Sequence, residues 1–458
     1  MDKHNDTKKR NEFKIFFYMN YNLILALLLF SQNIVFAQKS NPDSHLNSKS
    51  KSVIVMNVSQ LLLDNYVYPD TAIRFSKYIQ QRLKSGAYEN ITDPVVFSDV
   101  LSNDLYAVYH DKHLSVQYNP ALASQLSDPV SPAETVIETV PKRNRDANFG
   151  LSKIEILKGN IGLLELNHFW ADKIYGAETV KAAFKFLANT NALIIDVRSN
   201  GGGSPETVSM ICSYFFPDSI HINDSYSRPD NVTTEYWTNP DTAFGVFTKM
   251  PLYILCSNKT FSAAEEFAYD LQSLKRAVIV GEPTGGGAHN TFEQSAGNGF
   301  VVYIPYGRAI NAVTGTNWET VGVKPDIVVS AEKALETAEL EVFETLIAGT
   351  KDSAELFSLH WQLALMRAIN NPIVLGPDIL KKYAGIYGER AFTFENGKLF
   401  YQRRGKPKFE LEAMTLSMMK GKGNDYFKIE FIENAQGAVN QVKAYYQDNR
   451  IETSFRTE

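Results

Sequence analysis

Residues 192–203 constrain the fold of this chain more than any other stretch. Positions 192–197 are apolar apart from Asp196 and run straight into Arg198-Ser199-Asn200-Gly201-Gly202-Gly203, after which a helical pattern spans 205–216. Such a run predicts a strand buried on both faces within a parallel sheet, with helices covering it. The alternation continues on either side. It predicts strands at 161–166, 252–256, 277–281, 299–305 and 326–329, with helices at 177–187, from Ser262 to about Leu274, and at 334–347. Repeated strand, helix and buried strand define an α/β domain.

With 458 residues, about three folded units are expected at roughly 150 residues each. Apolar-periodic stretches at 53–66, 71–83 and 94–109, bounded by Pro69, Gly86 and Pro94, predict a helical N-terminal domain over 38–120. The α/β core then runs over 121–350 and a helical connector over 351–376. Beyond Pro377 the pattern turns to short alternating runs, and Asn396-Gly397 between two of them is a hairpin signal. Residues 377–458 are predicted to form a small antiparallel β domain, a curled sheet or barrel, and a chain ended near Asn371 is expected to fold without it.

The first 37 residues carry Lys8, Lys9, Arg10 and Lys14, then an apolar run at 23–30, then Val35-Phe36-Ala37. That is the pattern of a secretory signal cleaved after Ala37; eight apolar residues fall far short of the roughly 20 that a spanning helix needs. An exported protein, periplasmic or extracellular and without a membrane span after cleavage, is the expectation. Lys plus Arg number 46 against 51 Asp plus Glu, with no long basic run, so nucleic acid is excluded as a partner. Cys212 and Cys256 each lie in an apolar stretch and are predicted to be small buried hydrophobes. Neither a cofactor nor a metal is expected: His110, Asp111 and His113 are close in sequence, but no third ligand set is evident.

Chemistry is suggested at five places. The glycine turn at 201–203 exposes backbone N–H groups at a strand-to-helix junction, without the third spaced glycine of a dinucleotide fingerprint, since position 206 is Glu. Ser262 stands at a helix N-terminus with Glu265 three residues on; alone this spells a capping box, yet the free N–H of Ala263 could equally stabilise an oxyanion beside a nucleophilic Ser262. The others are Val280-Gly281-Glu282-Pro283-Thr284-Gly285-Gly286-Gly287-Ala288-His289, Asn317-Trp318-Glu319-Thr320-Val321-Gly322-Val323-Lys324-Pro325-Asp326 and Asp111-Lys112-His113-Leu114-Ser115.

In this order these motifs resemble the serine peptidases of the C-terminal-processing and tricorn-core family, in the branch related to interphotoreceptor retinoid-binding repeats. The resemblance covers about 111–326 and rests on Asp-x-Arg-x-Asn-Gly-Gly-Gly, Phe-Ser-Ala-Ala-Glu-Glu-Phe, Gly-Glu-Pro-Thr-Gly-Gly-Gly and Gly-Val-x-Pro-Asp. It implies a crotonase-like α/β core and a serine peptidase acting on peptide or protein substrates. Ser262 would be the nucleophile, His113 the base, Glu319 the residue that orients His113, and the amides of Gly202 and Ala263 the oxyanion hole. The β unit with Tyr383-Ala384-Gly385-Ile386-Tyr387-Gly388 is similar to add-on domains that trail secreted bacterial hydrolases. The relatives also leave open a non-catalytic binder of an apolar ligand, or an esterase.

Two departures bear on the base. The processing branch uses a lysine within Gly-Lys-Gly, where this chain reads Gly286-Gly287-Ala288, and the tricorn pattern has a serine where this chain has Lys112. Lys275 ends the helix that Ser262 begins, about 20 Å away at 1.5 Å per residue, and cannot reach. His289, just past the glycine loop, stays open as the rival to His113. Asn167, His168 and Trp170, at the end of a core strand, are candidate cleft residues.

Overall fold

The computed structural model describes residues 45–127, 142–171, 175–242 and 247–457; the leader expected at 1–37 lies outside the described residues. Among these, no helix is long and apolar enough to cross a membrane. Helices Ser48–Asn65, Pro69–Lys84 and Pro94–Val108 come first. Pro69 and Pro94 stand at the helix starts, where a missing N–H forfeits no hydrogen bond. Their buried faces, including Ile54, Phe75, Phe97 and Leu101, pack in one cluster with Ala296, Phe300, Val302 and Ile304 from strands His289–Gly297 and Phe300–Asn311. The helical unit therefore shares its core with residues of the α/β unit. Strand Ser115–Tyr118, just after His113, pairs antiparallel with Phe300–Asn311, Ser115 opposite Tyr303.

Apart from the strand predicted at 299–305, which belongs to another sheet, the predicted α/β alternation forms a six-stranded sheet in the order Ile327–Val328, Val278–Gly281, Leu252–Cys256, Ala192–Asp196, Ile161–Leu166, Leu151–Leu157. All neighbours are parallel except the last pair, an antiparallel hairpin. Ala192–Asp196 and Leu252–Cys256 lie at its centre with every residue buried. Val180, Phe184, Val208, Ile211, Phe267 and Leu271 cover one face, and Ala338, Val342 and Phe343 cover the other. Asp196, the polar exception in the buried run, is held by Arg198, whose Nε donates to Oδ1 at 2.9 Å. Cys212 and Cys256 are free and buried, as predicted. A second sheet was not foreshadowed: Phe300–Asn311 is its spine, flanked by Ser115–Tyr118, His221–Ser227 and His289–Gly297, with Val232–Trp237 at the edge.

The C-terminal strands from Gly385–Tyr387 to Ile451–Phe455 form an eight-stranded antiparallel meander. Its ends meet: Tyr387 bridges Arg456, and Thr457 N–H donates to the Ile386 carbonyl at 2.8 Å, closing the sheet into a barrel. Asn396 and Gly397 both take positive φ, 49° and 79°, at the predicted hairpin. The connector helix, Ser353–Asn370, is buried on two sides. Leu359 and Leu363 face the α/β core, while Trp361, Leu365 and Ala368 pack with Met414 of the barrel. Trp361 Nε1 donates to the Asp425 carbonyl at 3.0 Å, and Lys428 Nζ lies 3.8 Å from the centre of the indole ring. Ending the chain at Asn371 uncovers that second side. The shortened protein should melt roughly 5–10 °C below the full chain by circular dichroism; equal melting temperatures would show that the barrel adds nothing to this helix.

Candidate active site

The loops that follow the parallel strands converge at their C-terminal ends, the edge where open α/β sheets carry their sites. Strand Leu252–Cys256 leads through a turn into helix Ala263–Ser273. Side chains of the turn stitch it to the neighbouring glycine turn: Ser257 Oγ donates to the Arg198 carbonyl at 2.6 Å, Thr260 Oγ1 to that of Val197 at 2.8 Å, and Phe261 N–H to that of Asn200 at 3.0 Å. Ser262, at the junction, has φ 56° and ψ −124°. A non-glycine residue there carries strain of about 1–3 kcal/mol, which persists only where its surroundings enforce it. Gly202 (φ 112°) supplies part of that enclosure, because a Cβ on it would stand 2.8 Å from the Ser262 Cβ.

Glu265 locks the rest. Its carboxylate accepts from the Ser262 N–H (2.9 Å), the Gly287 N–H (2.9 Å), the Gly286 N–H (2.6 Å) and the Thr284 hydroxyl (2.5 Å). Burial pushes its pKa up, yet four converging donors are the environment of an ionised carboxylate. The capping box suspected from sequence is present, with the Glu265 carboxylate accepting from the Ser262 N–H. Nothing in the sequence showed that the same carboxylate would tie the Ser262 elbow to the glycine loop.

The His113 imidazole lies over Phe261, with ring centres 4.5 Å apart. A Cβ on Gly287 would come 2.3 Å from the Phe261 Cζ and 2.6 Å from the His113 Cε1, so the two rings, Phe261 first, occupy the space into which a side chain at 287, lysine included, would extend. Burial lowers the His113 pKa to about 4, with nearby Asp111 working in the opposite direction. His289 sits across Asp111: its Nδ1 is 2.7 Å from Asp111 Oδ2, which also accepts from the Tyr66 hydroxyl at 2.9 Å, while Asp111 Oδ1 accepts from the His113 backbone N–H at 2.9 Å. Burial disfavours both charges of the pair, but their hydrogen bond and mutual attraction outweigh it. His289 is raised and Asp111 lowered from their ordinary values. His113 Nδ1 and His289 Nε2 are buried without partners, and among the described residues neither ring is hydrogen-bonded to the Ser262 hydroxyl.

Two expectations need correction. Glu319 lies beside His289, Oε2 3.6 Å from Nδ1, and accepts from the Ala288 N–H at 2.6 Å. It therefore braces the glycine loop and His289, with no hydrogen bond to His113; burial pushes its carboxyl up to about 7. The Gly202 N–H is already taken by Asn200 Oδ1 at 2.8 Å. The neighbouring Gly203 instead lines a cavity of about 240 Å³ with Ser262 and Ala263, and Ala263, at the first helical position, presents an N–H without an intrahelical acceptor. Asp111, which links both histidines, was missed as an organiser; the Asp-x-His spacing at 111–113 was its only trace. Asp111, His289 and Glu319 bring ligand-type atoms within 4.8 Å of one another, two of them already paired. Of the other cleft candidates, His168 and Trp170 stack face to face at 3.7 Å, and Asn167 lines a different cavity with Asp196 and Arg198. His110 stacks on Tyr106.

A strained serine at a strand-to-helix elbow, a glycine turn against it, an imidazole packed on the adjoining Phe261 and another lining the same cavity as the serine are parts that a nucleophilic hydrolase site uses. Residues 160–329 match the model of peptidase family S41, and residues 45–153 match the N-terminal domain described for S41 peptidases in eukaryotic interphotoreceptor retinoid-binding protein; the chain belongs to the S41 family. It is 30% identical over 207 residues to chloroplastic carboxyl-terminal-processing peptidase 2 of Arabidopsis thaliana, spanning 42% of this chain and 38% of that one. To the tail-specific protease of Haemophilus influenzae it is 28% identical over 151 residues, spanning 31% and 19%. The match thus takes in well under half the length of either relative. Among solved structures, the photosystem II D1 C-terminal processing protease overlaps with a TM-score of 0.40 at 14% identity, covering 62% of this chain and 94% of that one.

Proposed function

We propose that this protein is an exported serine endopeptidase, periplasmic or extracellular, with a crotonase-type core. Ser262 attacks the peptide carbonyl, the amides of Ala263 and Gly203 receive the oxyanion, and His113 takes the serine proton and returns it to the leaving amine. The observation that carries this reading is the enforced backbone of Ser262, with the His113 ring packed on the adjoining Phe261. An imidazole acts as a general base only in its neutral form. His113 meets that condition, since burial lowers its pKa to about 4, whereas Asp111 outweighs burial at His289 and favours its charged form. A fluorophosphonate probe should label Ser262, and peptides should be cleaved in preference to simple esters; a chain that resists labelling and cleaves neither is no hydrolase.

The pH profile separates the two histidines. With His113 as base, kcat/KM should hold down to mildly acidic pH and fall as pH drops through about 4. With His289 as base, the acid limb would lie above that residue's ordinary 6.5, because its pKa is raised and the charged form must lose its proton first.

A further inference from the structure

The cavity beside Ser262 reaches past the nucleophile to a carboxyl group for which the reaction has no use. Glu266 is part of its wall, and its Oε1 is buried with no hydrogen-bond partner. A buried acceptor left open costs about 1–3 kcal/mol, so it marks a place where a donor from outside fits. At about 240 Å³ the cavity is smaller than the roughly 300–1,000 Å³ typical of small-molecule pockets, a size for one side chain. Gly203, Ala263 and Ser262 line the same cavity as Glu266, and so does His289, while Pro205, Ala309 and Trp318 contribute apolar surface to it. Glu266 follows Ser262 by four residues, about 6 Å along the helix at 1.5 Å per residue. A long side chain spans that depth and a short one does not.

On the peptidase reading above, we infer that this cavity receives the substrate residue on the N-terminal side of the cleaved bond, and that Glu266 selects Lys or Arg there. The aliphatic stem packs on the apolar walls and the cationic head meets the unpartnered carboxylate oxygen. Glu206 acts on Glu266 as a second negative group, which favours a cation over a neutral donor. Asp270, one turn further along the helix, has its carboxyl pushed well up by burial and by Glu266, and His289 on the same cavity wall works against a cation, since Asp111 raises its pKa. Burial, with Glu206 adding to it, pushes the empty Glu266 carboxyl up to about 8 against a partial pull from Asn223; an arriving cation draws it back to the charged form.

The test uses the full chain and matched fluorogenic peptides that differ only at that residue: Lys, Arg, Gln, Leu or Ala. Lys and Arg peptides should exceed Leu and Ala by on the order of 100-fold in kcat/KM. Glu266→Gln should bring the Lys-to-Leu ratio close to one, and Glu266→Asp should restore part of it, more for Arg than for the shorter-reaching Lys. Fluorophosphonate labelling of each variant reports whether the elbow is intact. Leu or Ala peptides cleaved as well as Lys and Arg, or a preference for Gln, would overturn the inference while leaving the peptidase standing. No cleavage and no labelling would overturn both.

Discussion

Replacing Ser262 by Ala should lower kcat by about four to six orders of magnitude, with His113→Ala close behind and the double variant little worse than either. The three losses should nearly coincide because nucleophile and base act as one unit: without the imidazole the hydroxyl keeps its proton, and without the hydroxyl the imidazole has nothing to accept. The variants are structurally mild. Alanine at 262 meets the same backbone angles as serine, and removing the His113 ring opens space beside Phe261 and Gly287 without stranding a hydrogen-bond partner of that ring. His289→Ala is different in kind, since it leaves Asp111 Oδ2 with only the Tyr66 hydroxyl and should lower the melting temperature. Turnover abolished by His289→Ala at unchanged stability, with His113→Ala near wild type, would transfer the role of base to His289.

Glu265→Ala should have the second largest effect, and on the fold itself. Three backbone N–H groups and the Thr284 hydroxyl lose their shared acceptor. At about 1–3 kcal/mol for each unsatisfied buried N–H, the cost is about 3–9 kcal/mol, comparable with the about 5–15 kcal/mol that holds a typical domain together. Little soluble protein is expected, and none that a fluorophosphonate labels. Glu265→Gln keeps the shape but turns an NH₂ toward N–H donors, so it should fold with a lowered melting temperature and much slower labelling. Wild-type labelling in Glu265→Gln would mean that the elbow holds its geometry without this carboxylate.

Both results turn on residues whose chemistry was only partly legible in the sequence. Ser262 and His113 were visible through motifs; the sequence also showed Glu265, but as a local cap. Its second task, reaching Gly286 and Gly287, spans 21 and 22 residues, and no periodic pattern encodes such a contact. Glu319, expected beside His113, stands beside His289 for a similar reason. Its neighbours are fixed by how the loop after Phe300–Asn311 folds back on Ala288, and that depends on a sheet whose strands are far apart in sequence. Elements governed by local rules fared well. The strand at 252–256 matches Leu252–Cys256 residue for residue, and the Asn396-Gly397 turn is where it was predicted. Strand Ser115–Tyr118 shows the limit: four residues long, it has meaning only through its partners at 300–303.

Asp111 joins Tyr66 to His289 in one buried contact. The segment matched to the peptidase family, 160–329, contains Ser262 and His289, but His113 and Asp111 come from the segment matched separately, 45–153. On the proposed assignment the site is distributed over the chain as a quorum: neither matched segment holds it alone, and while the polypeptide is still extended the serine is an ordinary alcohol. Contacts of such sequence separation form late and slowly, so the onset of turnover on refolding would clock the docking of the N-terminal helices onto the strands, and a polypeptide that crosses a membrane unfolded would carry no peptidase activity until it had arrived.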